Sequence, residues 1–381
     1  MTSSHRQQLA APAGGSGAAD LQGAVQAAAD EMVASGAETG LQVAVRHCGR
    51  MVAEVVSGVA DPRTGAEVRP GTLFYAASTA KGVAASLAHV LAERGDLSYD
   101  LRVADVWPEF GLHGKDRITV RHVLLHTAGL PGLPAGTTVE QLCDRDYMCA
   151  VLAAERPWWE PGTRFGYHAL TFGFLLGETM RRVTGRTVTA LLRELLTGPL
   201  GIEDEIFFAV PRRLLPRVAR QPGAVAPPDP PRGSALYQAM PPALGPVAGF
   251  ANREDVLVCD IPSVGTMTAR GAALLYSALL GHGCGVALVS PGRLAEMTAI
   301  AFTGMDEVMG FRIAWAFGYS PDRPGVPSRR GSTFGMVGAN GSAAYADIDS
   351  DVAVAVMRNG ATQGDLTAAA RIDRLIAQVL P

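Results

Sequence analysis

Phe74-Tyr-Ala-Ala-Ser-Thr-Ala-Lys-Gly82 runs directly into Val83, Leu87, Val90 and Leu91, with Gly95 beyond them. Those apolar residues fall at i, i+4, i+7 and i+8, the spacing of one helical face, and Gly95 supplies the stop. Ser78 and Lys81 therefore stand at the start of a helix. Three residues apart, their side chains share one face, one turn apart. A lysine accepts a serine proton only when its ammonium is destabilised, and burial against apolar walls does that. The free N–H groups of a helix N-terminus also favour negative charge developing at Ser78. The stretch reads as a nucleophile, Ser78, beside its proton partner, Lys81.

Working outward, the 381 residues are 48% hydrophobic, enough for a large core. The length suits two lobes, or one continuous domain with an insertion. A net charge of −3 with 18% charged residues and no block of like charge argues against nucleic-acid and anionic-membrane partners, which need a concentrated basic face. Aromatic residues are only 6%, too few for interleaved stacking platforms. Nearly all 33 basic residues are arginine, Lys81 and Lys115 being the exceptions, so each lysine invites the question why it is not an arginine. The five cysteines, Cys48, Cys143, Cys149, Cys259 and Cys284, are scattered without CxxC or zinc spacing. They read as buried reduced thiols, with no disulfide framework, metal or other cofactor implied. The first twenty residues lack an apolar signal core, and no run of ~18 apolar residues occurs, so a cytoplasmic location is expected.

Residues 1–19 read as a flexible lead-in, after which Asp20 caps a helix over Leu21–Val33. Leu41–His47 and Met51–Ser57 form an antiparallel hairpin. Residues 96–255 are mostly helical, with helices at Arg121–His126, Leu170–Thr184 and Val188–Leu196. The Pro-rich stretch 211–250 reads as a lid-like loop, anchored by Leu236, Tyr237, Leu244 and Phe250. A helix over Ala269–Leu280, strands Gly341–Asp347 and Val352–Met357, and a helix near Leu366–Val379 complete the chain. Strands at both ends with helices between them predict an α+β fold: one antiparallel sheet, from 20–95 and 256–381, with a helical lobe, 96–255, inserted. The site belongs where the lobes meet.

Three segments in order, Phe74–Gly82, Arg121-His-Val-Leu-Leu-His-Thr-Ala-Gly-Leu-Pro131 and Trp159-Glu-Pro-Gly-Thr-Arg-Phe-Gly-Tyr167, resemble landmarks of the serine β-lactamase-like family. That family includes class C β-lactamases, D-Ala-D-Ala carboxypeptidases, carboxylesterases and acyltransferases. Ile261-Pro-Ser-Val-Gly-Thr-Met-Thr-Ala-Arg270 and the C-terminal segment extend the resemblance to nearly the whole chain from about residue 25. It implies a β-lactamase/transpeptidase-like fold with Ser78, Lys81 and Tyr167 catalytic. It also implies an oxyanion hole from the backbone N–H groups of Ser78 and Ala339, and gives His126 a structural place. Two departures stand out. Ala169 replaces the asparagine of the family's Tyr-x-Asn motif, leaving His168 as a candidate substitute contact. Met336 replaces the cationic or polar residue of the third motif, followed by Val337 and Gly338, and Asn340 is a further candidate substrate contact. A thioether cannot hold a substrate carboxylate as an ammonium does.

These residues point to a serine acyl-transfer enzyme, a carboxylesterase or transacylase, working through an acyl-Ser78 intermediate. Its partners are a small-molecule acyl donor and acceptor, and tailoring of a secondary metabolite by ester or amide exchange fits the specialised loop. The sequence leaves the oligomeric state open. The alternatives are a β-lactamase or D-Ala-D-Ala peptidase, which Met336 opposes, and a catalytically silent binding protein on the same fold. Lys81, in so lysine-poor a chain, opposes the latter.

Overall fold

The computed structural model describes residues 16–223, 229–245, 248–283, 285–324, 331–360, 362 and 364–380. Most of the predicted lead-in, part of Pro227–Pro231 and Cys284 lie outside them. The sheet has six antiparallel strands. In chain order they are β1 (Gly40–His47), β2 (Arg50–Asp61), β3 (Ala66–Glu67), β4 (Thr333–Val337), β5 (Ala343–Asp347) and β6 (Val352–Arg358), and across the sheet they run β3-β2-β1-β6-β5-β4. The first and last thirds of the chain thus meet at the β1–β6 pair, where Val43 lies opposite Val356 and Val45 opposite Val354.

Strand alternation explains what each face carries. Val352, Val354 and Val356 face one way with Val43 and Val45. There they pack against helices α1 (Ser16–Ala34) and α5 (Thr367–Val379) through Leu21, Val25, Ala29, Ile372 and Ile376. Ala44, Ala344, Ala346, Ala353 and Ala355 take the other face and join the main core. Small side chains there let helices α2 (Thr79–Glu93) and α4 (Ala269–Leu279) approach the sheet closely. The hydrophobic pattern gives α1 a start at Asp20, but the helix begins at Ser16, so Asp20 lies inside it and is no cap.

Helix α2 is buried from Thr79 to Ala92, between the sheet and helix α3 (Thr171–Thr184) of the helical region. A helix apolar nearly all round belongs in such a place. Its start is fixed by a small sheet in which Phe74 pairs with Met267, and Met267 with Ile206. In the Pro-rich stretch, Leu244 and Phe250 are buried and Leu236 and Tyr237 half-buried, and Leu133 N–H bonds the Gln238 carbonyl at 3.0 Å. A hairpin of Phe302–Met305 with Arg312–Trp315, not read from the sequence, lies beside the loop carrying Tyr167. Among the described residues, no helix is long and apolar enough to cross a membrane.

Candidate active site

Ala77 has φ +46°, a left-handed conformation costly for a residue with a Cβ, and Ser78 follows at the first turn of α2. Ser78 is half-buried and Lys81 only 1% exposed. Lys81 Nζ lies 2.9 Å from Ser78 Oγ and donates to the Ser263 carbonyl at 3.0 Å. Burial lowers its pKa from 10.5 to about 7. With one N–H held by Ser263, the neutral amine keeps a lone pair for the Ser78 proton.

Ser263 is itself fixed. Its hydroxyl accepts the Gly173 N–H at 2.7 Å and donates to the Leu170 carbonyl, tying the segment to the start of α3. A carbonyl partner leaves no signature in a sequence, and nothing in residues 261–270 singled out Ser263. Lys115, the other lysine, is also buried and donates to the carbonyls of Leu152, Ala153 and Glu155 at the end of helix Arg145–Ala154. Three converging carbonyls suit a compact ammonium better than a planar guanidinium.

Tyr167 stands on a stretch whose backbone N–H groups are all engaged. Gly166 N–H bonds the His126 carbonyl at 3.1 Å, Tyr167 N–H bonds Asp306 Oδ1 at 3.1 Å, and His168 N–H bonds His126 Nδ1 at 3.0 Å. Asp306, 2% exposed, also accepts from Val308 and Met309. The phenol lies near Ser78, and Lys81 Nζ lies 5.1 Å from the ring centroid. Burial raises the phenol's pKa well above its usual range, so it stays protonated. The His126 ring packs 4.8 Å from that of Tyr167, and burial, then the nearby His168 and Lys81, hold it neutral. That agrees with its structural reading and spares the site a second cation.

The third motif lies on β4. Met336, 4% exposed, reaches over Gly82, where an added Cβ would sit 3.3 Å from Met336 Cγ and 2.2 Å from the Tyr276 hydroxyl. Only glycine fits there. Val337 is half-buried. Gly338 meets the start of α2 so closely that a Cβ would lie 2.4 Å from the Ala76 carbonyl. Ala339 comes next, half-buried. Neither its N–H nor that of Ser78 donates to a protein acceptor among the described residues.

Two sequence expectations are corrected. His168 is fully buried, accepting the Leu130 N–H at Nε2 (3.0 Å) and donating from Nδ1 to the Gly166 carbonyl (2.6 Å), so no ring nitrogen is left for substrate. Asn340 is also buried. Its amide donates to the Tyr75 carbonyl at 2.7 Å, to Ser342 Oγ at 3.0 Å and to the Arg358 carbonyl at 3.2 Å. It holds the turn after Ala339 to the sheet, assisted by Arg358, which is buried against Glu38 at 2.7 Å.

A hydroxyl beside a buried amine and a phenol, at the edge of an antiparallel sheet, is the working geometry of a serine hydrolase. The chain belongs to the Beta-lactamase family, whose family model matches residues 25–378. It is 33% identical to Esterase/beta-lactamase LipL of Mycobacterium tuberculosis over 303 residues, 74% of this chain and 68% of the relative. Among solved structures, a family VIII carboxylesterase superposes with TM-score 0.86 at 32% identity, covering 98% of this chain and 99% of the other. A penicillin-binding protein homolog from Caulobacter crescentus superposes with TM-score 0.83 at 34% identity, covering 95% and 98%.

Proposed function

We propose that the protein is a carboxylesterase or transacylase in which Ser78 Oγ attacks the carbonyl of an ester or activated acyl donor. The observation that carries this reading is Lys81 Nζ, buried, 2.9 Å from Ser78 Oγ and lowered to a pKa of about 7. Neutral Lys81 takes the serine proton as the Oγ–carbon bond forms. The Ser78 and Ala339 N–H groups hold the oxyanion. Two features support that assignment: neither has a protein acceptor among the described residues, and Gly338 packs against the residues preceding Ser78. Tyr167, protonated and near Ser78, passes a proton to the leaving oxygen, and Lys81 restores it. Water, an alcohol or an amine then takes the acyl group from Ser78. The esterases among the relatives support an ester donor. Met336 stands where a cation would grip a carboxylate, which weights the reading away from β-lactams and D-Ala-D-Ala peptides. Exchange of an ester or amide on a secondary metabolite is the use that a transferase would serve.

The test is turnover of p-nitrophenyl esters with and without added amines or alcohols, alongside nitrocefin. Ser78-dependent ester cleavage with little nitrocefin turnover is the expected result, and amide or new ester among the products marks a transacylase. Free acid alone, whatever the acceptor, leaves the esterase and removes the transferase. Rapid Ser78-dependent nitrocefin cleavage contradicts the reading of Met336.

A further inference from the structure

Helix Val139–Leu142 ends at Cys143, and the helical turn Glu254–Leu257 leads to Cys259, 116 residues further along the chain. Cys259 Sγ donates to the Cys143 carbonyl at 3.3 Å, and Cys143 Sγ donates to the Asp255 carbonyl at 3.7 Å. Each sulfur thus lies against the backbone of the turn that carries the other. Both are free and half-buried, so small reagents reach them. The Arg253 guanidinium donates to Glu140 Oε1 at 2.6 Å, a second link between the same two turns. Of the other described cysteines, Cys48 is exposed and Cys149 is buried.

We propose that Cys143 and Cys259 form a redox-modifiable pair, closed to a disulfide by exchange with a small oxidised disulfide. This departs from the sequence reading of these two cysteines as buried reduced thiols, because both are half-buried and the fold brings together residues that the chain keeps far apart. Cys143 is the attacking sulfur. The neighbouring Cys259 favours the Cys143 thiolate, while Cys143 and burial keep the Cys259 thiol protonated. The Cys143 thiolate forms a bond to one sulfur of the oxidant and displaces the other as a thiolate, which takes up a proton. Cys259 then loses its proton and attacks the Cys143 sulfur of the mixed disulfide, expelling the second small thiol. The protein gives up two hydrogens and two electrons, and one small disulfide becomes two thiols.

The cross-link falls at a mechanically useful place. Cys259 stands four residues before Ser263, whose carbonyl holds Lys81, and nine residues beyond the Pro-rich stretch. A disulfide there fastens the segment between that stretch and Ser263 to the helical region at Cys143.

The test treats the full chain with oxidised glutathione, alkylates the remaining thiols and maps the peptides by mass spectrometry. The expected result is a Cys143–Cys259 cross-linked peptide, two fewer alkylated thiols and an intact mass lower by about 2 Da, all reversed by dithiothreitol. Cys259→Ser is expected to retain glutathione on Cys143 and form no cross-link. Glutathione on Cys143 or Cys48 of the native chain with no 143–259 peptide, or cross-links through other cysteines alone, overturns the proposal.

Discussion

Replacing Lys81 by methionine keeps an unbranched chain of similar length in the same apolar slot and removes the nitrogen that titrates. The folded pKa of about 7, against 10.5 for an ordinary lysine, sets the magnitude. Each pH unit between the two is worth about 1.36 kcal/mol, so at pH 7 the buried site costs the native fold about 4 kcal/mol. Losing the contacts with Ser78 Oγ and the Ser263 carbonyl returns about 2 kcal/mol of that. Lys81→Met is therefore expected to be about 2 kcal/mol more stable than the native chain at pH 7, with ester turnover reduced to background. The pH dependence has a definite sign. A depressed lysine pKa means that the unfolded chain binds more protons between about 7 and 10.5, so native stability climbs with pH across that window and the penalty is constant below it. By pH 9.5 the native chain recovers about 3 kcal/mol that the variant cannot, and the order of stability reverses. Urea unfolding at the two pH values, followed by tryptophan fluorescence, measures this. A difference between the proteins that does not move with pH would refute the reasoning.

The same group sets the activity profile: kcat/KM is expected to rise with pH to half its maximum near 7 as Lys81 deprotonates, and a rate falling through that range would oppose Lys81 as base. No descending limb from Tyr167 is expected below pH about 10, because burial holds the phenol's proton. Tyr167→Phe keeps the ring against His126 and is expected to lower kcat/KM by about 10²–10⁴ with little change in unfolding midpoint; near-native turnover would remove Tyr167 from the proton path. Gly82→Ala puts a methyl 2.2 Å from the Tyr276 hydroxyl and is expected to cost about 1–3 kcal/mol in denaturant unfolding. Adding Tyr276→Phe to that variant removes the obstructing oxygen and is expected to restore part of the loss.

The start of α2 was legible because Val83, Leu87, Val90 and Leu91 repeat at helical spacing, and Ser78 and Lys81 follow from it. The β1–β2 hairpin and the C-terminal strands were legible because apolar residues run through them between turn residues. What escaped depends on partners that the sequence does not display. Ser263 serves Lys81 through its backbone, and Asp306 anchors Tyr167 from a hairpin whose exposure alternates weakly. His168 and Asn340 were misread for the same reason: their partners are backbone groups that only the folded chain brings near. Nor could spacing bring Cys143 to Cys259, whose meeting depends on the path of the intervening residues.

The most direct test of the central claim is the intact-protein mass after brief exposure to activated acyl esters, for the native chain and Ser78→Ala. A mass gain equal to the acyl group, confined to the native protein and mapped to Ser78, is the expected result. An adduct that persists in Ser78→Ala, or no adduct and no product across a broad ester panel, would contradict an acyl-Ser78 enzyme.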